Sequence, residues 1–362
     1  MQPNLYYASI AIILENQALT GSYIASPNFP TYHYCWFRDG SYIAYAMNLV
    51  GEHNSAFRFH TWGARTILRH SEKALRAIEK SRQGLSLGDD YLHTRYTLEG
   101  KEAGGEGWAN FQLDGFGTWL WAIGQHLGTS GDSLPADWQQ AGEVVAAYLK
   151  ALWQTPCYDC WEEYPESIHP HTLAAICGGL EAYSRWGGDI ISAQVAQDIR
   201  NFIMNRAVHS GHFVKFIGCE EVDASLLGLA VPYQVVSPRD PIMRATVTQI
   251  EQVLHVPKGG VRRYATDTYY GGGEWVLLAG WLGWYYTEVG EISRALEFLK
   301  WMESQSDAQD YLPEQVPASL VDSAFYTPWV ERWGEIAKPL LWSHAKYLIL
   351  YNALNPSPIR KE

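Results

Sequence analysis

The sequence predicts an all-α fold, an (α/α)6 barrel of six inner and six outer helices. Three features predict it. Apolar residues recur at three- and four-residue spacing in about a dozen stretches, as in Val144, Val145, Tyr148, Leu149 and Leu152. Strand patterns are scarce, and only residues 208–220 read as a short hairpin. Loops rich in aromatic residues fall between alternate helices. Consecutive antiparallel helix pairs that close into a ring bring alternate connections together at one end, where a pocket forms. No break in composition divides the chain, so residues 1–362 read as one domain.

Taken in order, residues 3–17 have a helical pattern, and 21–32 form a loop of Ser, Pro and aromatic residues. Arg38 and Asp39 directly precede a helix over 40–51. Asp39 then reads either as a helix N-cap with Arg38 as its surface partner, or with Arg38 as a clamp for adjacent hydroxyls. One long helix is expected over 54–80. The polar, Gly-rich loop 84–107 leads through Trp108, Asn110 and Gln112 into a helix over 113–129. Further helices are expected at 135–154, 170–187, 191–205, 241–254, 274–288 and 290–304. Another starts at Cys219, where Glu220, Glu221 and Asp223 suit a positive helix end. The stretch with Trp329, Trp333 and Gly334 reads as a loop, followed by a last helix from Pro339 to near Leu354.

Composition bounds the function. With 47% hydrophobic and 18% charged residues, the chain can bury a large core. Its formal net charge of −12 repels phosphate backbones, which argues against a nucleic-acid partner. The 16 Trp and 23 Tyr suit packing and also sugar recognition. Five cysteines, at 35, 157, 160, 177 and 219, are an odd number that favours reduced thiols and a cytoplasmic location. Cys157 and Cys160 form a C-x-x-C without a second ligand pair, so no metal is expected. Glu15 interrupts the apolar run from Ile10 to Leu14, so no signal peptide is expected. No apolar run approaches the roughly 20 residues of a membrane span.

The strongest chemical signal is Cys157-Tyr-Asp-Cys-Trp-Glu-Glu-Tyr-Pro-Glu166. Adjacent Glu162 and Glu163 follow Trp161. Acid runs are usually hydrated loops, but Tyr158, Trp161 and Tyr164 are poor choices for one. Aromatic rings stack on pyranose faces, and an apolar wall raises a carboxyl pKa, as a general acid requires. Glu314, between Pro313 and Gln315, would on its own read as a turn residue. The loop Gly260 to Trp275 carries Arg, Tyr and Asp and three glycines. It has no Walker or dinucleotide spacing, so its glycines read as allowing close approach to a bulky ligand.

Several of these segments together resemble glycoside hydrolase family 15, the glucoamylases and their bacterial relatives. They are Tyr34-Cys-Trp-Phe-Arg-Asp-Gly40, Gln112-Leu-Asp-Gly-Phe-Gly117, Trp161-Glu-Glu163, Val222-Asp-Ala-Ser-Leu226, Arg263-Tyr264 through Trp275, Pro313-Glu-Gln315 and Leu341-Trp-Ser-His344. Each is weak alone, but they occur in the family's order across nearly the whole chain. The resemblance implies the six-hairpin glycosidase barrel, without the N-terminal β-sandwich of many bacterial members and without a starch-binding domain. It makes Glu162 the general acid, Glu163 a substrate contact near the leaving group, and Glu314 the general base, oriented by Tyr32. Arg38 and Asp39 would clamp the non-reducing glucose. Trp36, Trp108, Trp161 and Trp275 would wall the pocket, and Arg263, Asp267 and Tyr269 would line the sugar sites. Pro313, Glu274 and Asn110 depart from the family pattern, chiefly on the leaving-group side.

The implied reaction is inverting hydrolysis, with the two carboxyls about 6.5–9.5 Å apart to admit a water. Glu162 is then expected in an apolar setting and Glu314 among more hydrogen-bond donors. The expected substrate is a short α-1,4- or α-1,6-linked gluco-oligosaccharide, opened from its non-reducing end without a cofactor. Trehalose is a further option within the family. An epimerase or isomerase on the same barrel would need a histidine base, for which His344 is the candidate. A non-catalytic sugar binder would need neither carboxylate.

Overall fold

The computed structural model describes residues 5–104 and 107–356. Thirteen α-helices occur among them: α1 Leu5–Glu15, α2 Phe37–Leu49, α3 His53–Arg69, α4 Ser71–Arg82, α5 Asp114–Ser130, α6 Ala136–Leu152, α7 Pro170–Trp186, α8 Ile190–Arg206, α9 Pro241–Val253, α10 Val276–Val289, α11 Ile292–Ser304, α12 Tyr326–Trp333 and α13 Leu341–Leu354. A ring of inner elements runs α2, α5, α7, the 3-10 segment Ala224–Leu229, α10 and α13, each packed on the next and α13 back on α2. Outside it, α1 packs on α13, α3 on α2, α6 on α5 and α7, α8 on α7, α9 on the 3-10 segment and α11 on α10. This is the expected (α/α)6 barrel.

Inner helices are apolar on nearly every side: all residues of α10 from Val276 to Tyr286 are buried. Such helices need partners all round, which only the inner ring of a double barrel provides. Outer helices such as α3 and α9 bury one stripe and expose the other. At the α5–α7 contact, a Cβ on Gly117 would stand 2.3 Å from the Ala175 carbonyl oxygen, and one on Gly179 would stand 2.3 Å from that of Gly117. The two backbones touch because neither position carries a side chain.

Four expectations change. The helix expected from Cys219 is the six-residue 3-10 segment Ala224–Leu229, with Asp223 as its N-cap accepting from Ser225 N. The pattern over 54–80 is two helices, α3 and α4, broken at His70, whose Nε2 bonds Gly100 O. Residues 326–333 form helix α12 rather than loop. Arg38 and Asp39 lie inside the first turn of α2, so Asp39 is not a cap; Trp36 is the residue that precedes the helix.

Among the described residues, strand is limited to two-residue pairs. β1 (Cys35–Trp36) pairs with β2 (Arg95–Tyr96), β3 (Val208–His209) with β4 (His212–Phe213), and β5 (Glu274–Trp275) with β6 (Gln315–Val316). The first and third matter for the site. They pin the chain immediately before α2 and α10, where Trp36 and Trp275 project.

Candidate active site

A cavity of ≈ 420 Å³ opens where the connections lead into α2, α10 and α13. Glu162, Glu314, Tyr32, Trp36, Arg38, Asp39, Trp108, Trp161, Glu163, Arg263, Tyr269 and Trp275 all line it. Of the residues expected there, Asp267 alone stands apart. It lies behind Arg263, accepting from Nε at 2.8 Å and from an Nη at 2.5 Å, and so aims that guanidinium instead of meeting a ligand.

The turn that carries Glu162 is strained and firmly held. Glu162 and Tyr164 have left-handed backbones, with φ 69° and 52°. A side chain in that region costs about 1–3 kcal/mol and persists only where its surroundings impose it. Asp159 imposes it: its Oδ1 accepts from Trp161 N at 2.9 Å and Glu163 N at 2.8 Å, while its carbonyl accepts from Glu162 N. Behind the turn, Asp223 accepts from the Trp161 indole and pairs with Lys215 at 3.1 Å. Burial pushes the Asp159 carboxyl up to about 7, against the pull of Lys215.

Glu162 Oε1 accepts from the Trp36 indole at 2.8 Å and from Gln112 Nε2 at 3.2 Å. Gln112 in turn accepts from Arg38 at 2.8 Å. Glu163 accepts from the Tyr264 hydroxyl at 2.7 Å and faces Arg263 at 3.4 Å. Arg38 also reaches Asp114 at 3.2 Å and Asp39 at 3.5 Å, with its guanidinium over the Trp342 ring. Burial opposes its charge, but Asp114 and Asp39 outweigh it and raise the Arg38 pKa. Burial pushes the Asp39 carboxyl up to about 6.

Glu314 immediately precedes β6. Its Oε1 accepts from the Tyr32 hydroxyl at 3.0 Å, and that hydroxyl also meets Tyr269 at 2.8 Å. Its Oε2 is buried without a hydrogen-bond partner. Burial pushes the carboxyl from its ordinary 4.5 up to about 8, against the pull of Tyr32 and Arg263. The donor balance is therefore the reverse of the expectation. Glu162 has two N–H donors because it faces an indole and an amide, whereas Glu314 has one hydroxyl because it lies deeper. Glu314 Oε2, Arg38 Nε, Asp39 Oδ2 and the indole nitrogens of Trp108, Trp275 and Trp342 make no hydrogen bond within the described residues. Arg38 Nε and Asp39 Oδ2 meet only each other, as an ion pair at 3.5 Å. Polar atoms left without hydrogen bonds around aromatic walls suit a ligand dense in hydroxyls.

Sequence reading missed several residues at and behind the cavity. Trp342 lines it and Gln112 stands behind it, bonded to Arg38 and Glu162; both fall within motifs that assign them no role. Arg95, on β2, lies 3.5 Å from the Trp108 ring centroid and 5.4 Å from that of Trp36, backing both. Trp329, Arg332 and Trp333 of α12 edge the mouth. His344 is not at the cavity: Ser9 Oγ and Leu312 N hold both of its ring nitrogens inside the core.

The profile described as Glycosyl hydrolases family 15 matches residues 1–326. The chain belongs to this family. Isomaltose glucohydrolase from Kribbella flavida is 39% identical over 360 residues, spanning 97% of this chain and 92% of that protein. A solved glycosidase variant in complex with glucose superposes with a TM-score of 0.94 at 38% identity, covering 98% of this chain and 97% of that one. Trehalase 2 from Sulfolobus acidocaldarius is 25% identical over 324 residues, 81% of this chain but 55% of that protein. No helix among the described residues is long and apolar enough to cross a membrane.

Proposed function

We propose that this protein is an inverting exo-α-glucosidase that releases β-D-glucose from the non-reducing ends of short α-gluco-oligosaccharides, with isomaltose-type α-1,6 linkages preferred. One observation carries the reading: Glu162 and Glu314 open on the same aromatic cavity, each with one oxygen engaged by the protein. The linkage preference rests on similarity to the Kribbella isomaltose glucohydrolase. The trehalase relatives are more distant, which makes trehalose the weaker alternative.

Arg38 and Asp39 bind hydroxyls of the terminal glucose. Both indole and amide N–H groups converge on Glu162 Oε1, so the proton resides on Oε2 and passes to the glycosidic oxygen as the C–O bond breaks. A water on the opposite ring face attacks the anomeric carbon and gives its proton to Glu314 Oε2, the unpaired oxygen. Tyr32 fixes the other oxygen of Glu314, which aims the free lone pair. Glu162 ends ionised and Glu314 protonated, and exchange with solvent restores both. No cofactor takes part. Buried His344 leaves an epimerase without its base, and a mere sugar binder would need neither carboxyl. A cytoplasmic location is proposed from five free cysteines, four of them buried. The chain is proposed to act as one domain.

The test is a product assay over isomaltose, maltose, trehalose and longer glucans. Glucose released fastest from isomaltose supports the proposal. Turnover confined to trehalose, or absent on all four, overturns it.

A further inference from the structure

Helix α12 is amphipathic without a protein core to serve. None of its eight residues is buried, yet Trp329, Arg332 and Trp333, spaced i, i+3 and i+4, all face the catalytic cavity. Trp329 is the anchored member. Its indole donates to Thr268 O at 2.9 Å, and its ring lies against Tyr269 and Tyr270. The Tyr270 hydroxyl holds Gly334 O at 2.8 Å, fixing the far end of the helix.

The other two are positioned but uncommitted. Among the described residues, Arg332 pairs with no carboxylate, and Trp333 meets no other aromatic ring; the Arg332 guanidinium lies 4.9 Å from the Trp333 ring centroid. An aromatic face beside a cation with free N–H donors matches a pyranose, whose C–H face stacks while its hydroxyls accept. Depth decides which sugar unit they meet. Arg38, Asp39, Leu340 and Trp342 are buried at the closed end, whereas Trp333 is half-buried and Arg332 exposed. A unit bound at α12 therefore lies beyond the bond that is cut.

We propose that Arg332 and Trp333 form the subsite for the sugar on the leaving-group side. This rests on the hydrolase reading above and adds to it the residues that meet the leaving sugar. Because neither Trp333 nor Arg332 is buried, Trp333→Ala and Arg332→Ala should fold normally.

The experiment compares isomaltose with α-D-glucosyl fluoride, whose one-atom leaving group cannot reach α12. Both variants should lower kcat/KM for isomaltose by about five- to ten-fold, the worth of one aromatic or cation stacking face. Activity on the fluoride should stay unchanged. Unchanged kcat/KM for isomaltose, or an equal loss on the fluoride, would overturn the subsite. A binding arm separates this from failure of the hydrolase reading. By calorimetry in a Glu162→Gln background, Trp333→Ala should weaken isomaltose but not glucose, whether or not any sugar is turned over. Equal effects on both sugars would count against the proposal.

Discussion

The Tyr32 hydroxyl reaches Glu314 Oε1 at 3.0 Å, and the other oxygen of that carboxyl is buried with no partner. A base held in this way has one oxygen fixed and one free, and its affinity for protons is raised by burial.

The acid side of the pH profile should reflect that. kcat/KM reports groups of the free enzyme, so its acidic limb should lie well above the ordinary glutamate value of 4.5. Tyr32→Phe removes the donor that favours the carboxylate, which moves the limb higher still. It should also lower kcat by roughly ten-fold. A limb that stays put in Tyr32→Phe would assign it to another group.

Glu314→Gln should abolish turnover by orders of magnitude while leaving glucose binding nearly intact. It should also stabilise the fold in a pH-dependent way. The folded state keeps the Glu314 proton from about pH 4.5 to about 8, whereas the unfolded chain releases it near 4.5. Wild-type stability is therefore lost as pH rises through this window. The gain in Tm for Glu314→Gln should be absent below it, grow across it and level off above it. A pH-independent difference would contradict the buried-carboxyl account.

Trp36→Phe keeps an aromatic, though smaller, ring and deletes the N–H that donates to Glu162. Hydrogen bonds to charged groups are worth about 1.5–3 kcal/mol, so kcat should fall by roughly ten- to a hundred-fold. Little change in the affinity for glucose is expected. The measurement is steady-state kinetics on isomaltose together with glucose calorimetry.

Arg38→Ala leaves Asp39 and Asp114 without their buried counter-ion. Removing one partner of a buried pair costs about 3–5 kcal/mol, which urea denaturation would read directly. A loss under 1 kcal/mol would contradict the buried ion pair as a source of stability.

What the sequence disclosed follows from what each residue does. Inner helices such as α10 were legible because their apolar character is set by the ring around them. The walls Trp36, Trp161 and Trp275 and both glutamates were legible because they fall in ordered motifs. The break at His70 was not, because the apolar spacing runs through it and the contacts there, from Arg69 and His70 to the carbonyls of Glu99 and Gly100, come from a distant loop. Helix α12 stayed hidden because none of its residues is buried and its aromatic stripe faces a cavity. Gln112 looked like a residue before a helix; its bonds to Arg38 and Glu162 join segments far apart in sequence. Asp267 shows the converse, a residue read as lining the sugar sites that lies behind Arg263, accepting from its guanidinium and from Tyr269 N.

The central claim is that a proton donor and a proton acceptor face a bound sugar from opposite sides. Proton NMR of the first glucose released from isomaltose tests it most directly. β-Glucose appearing first, then mutarotating toward equilibrium, is the predicted result; α-glucose as the initial product would contradict it.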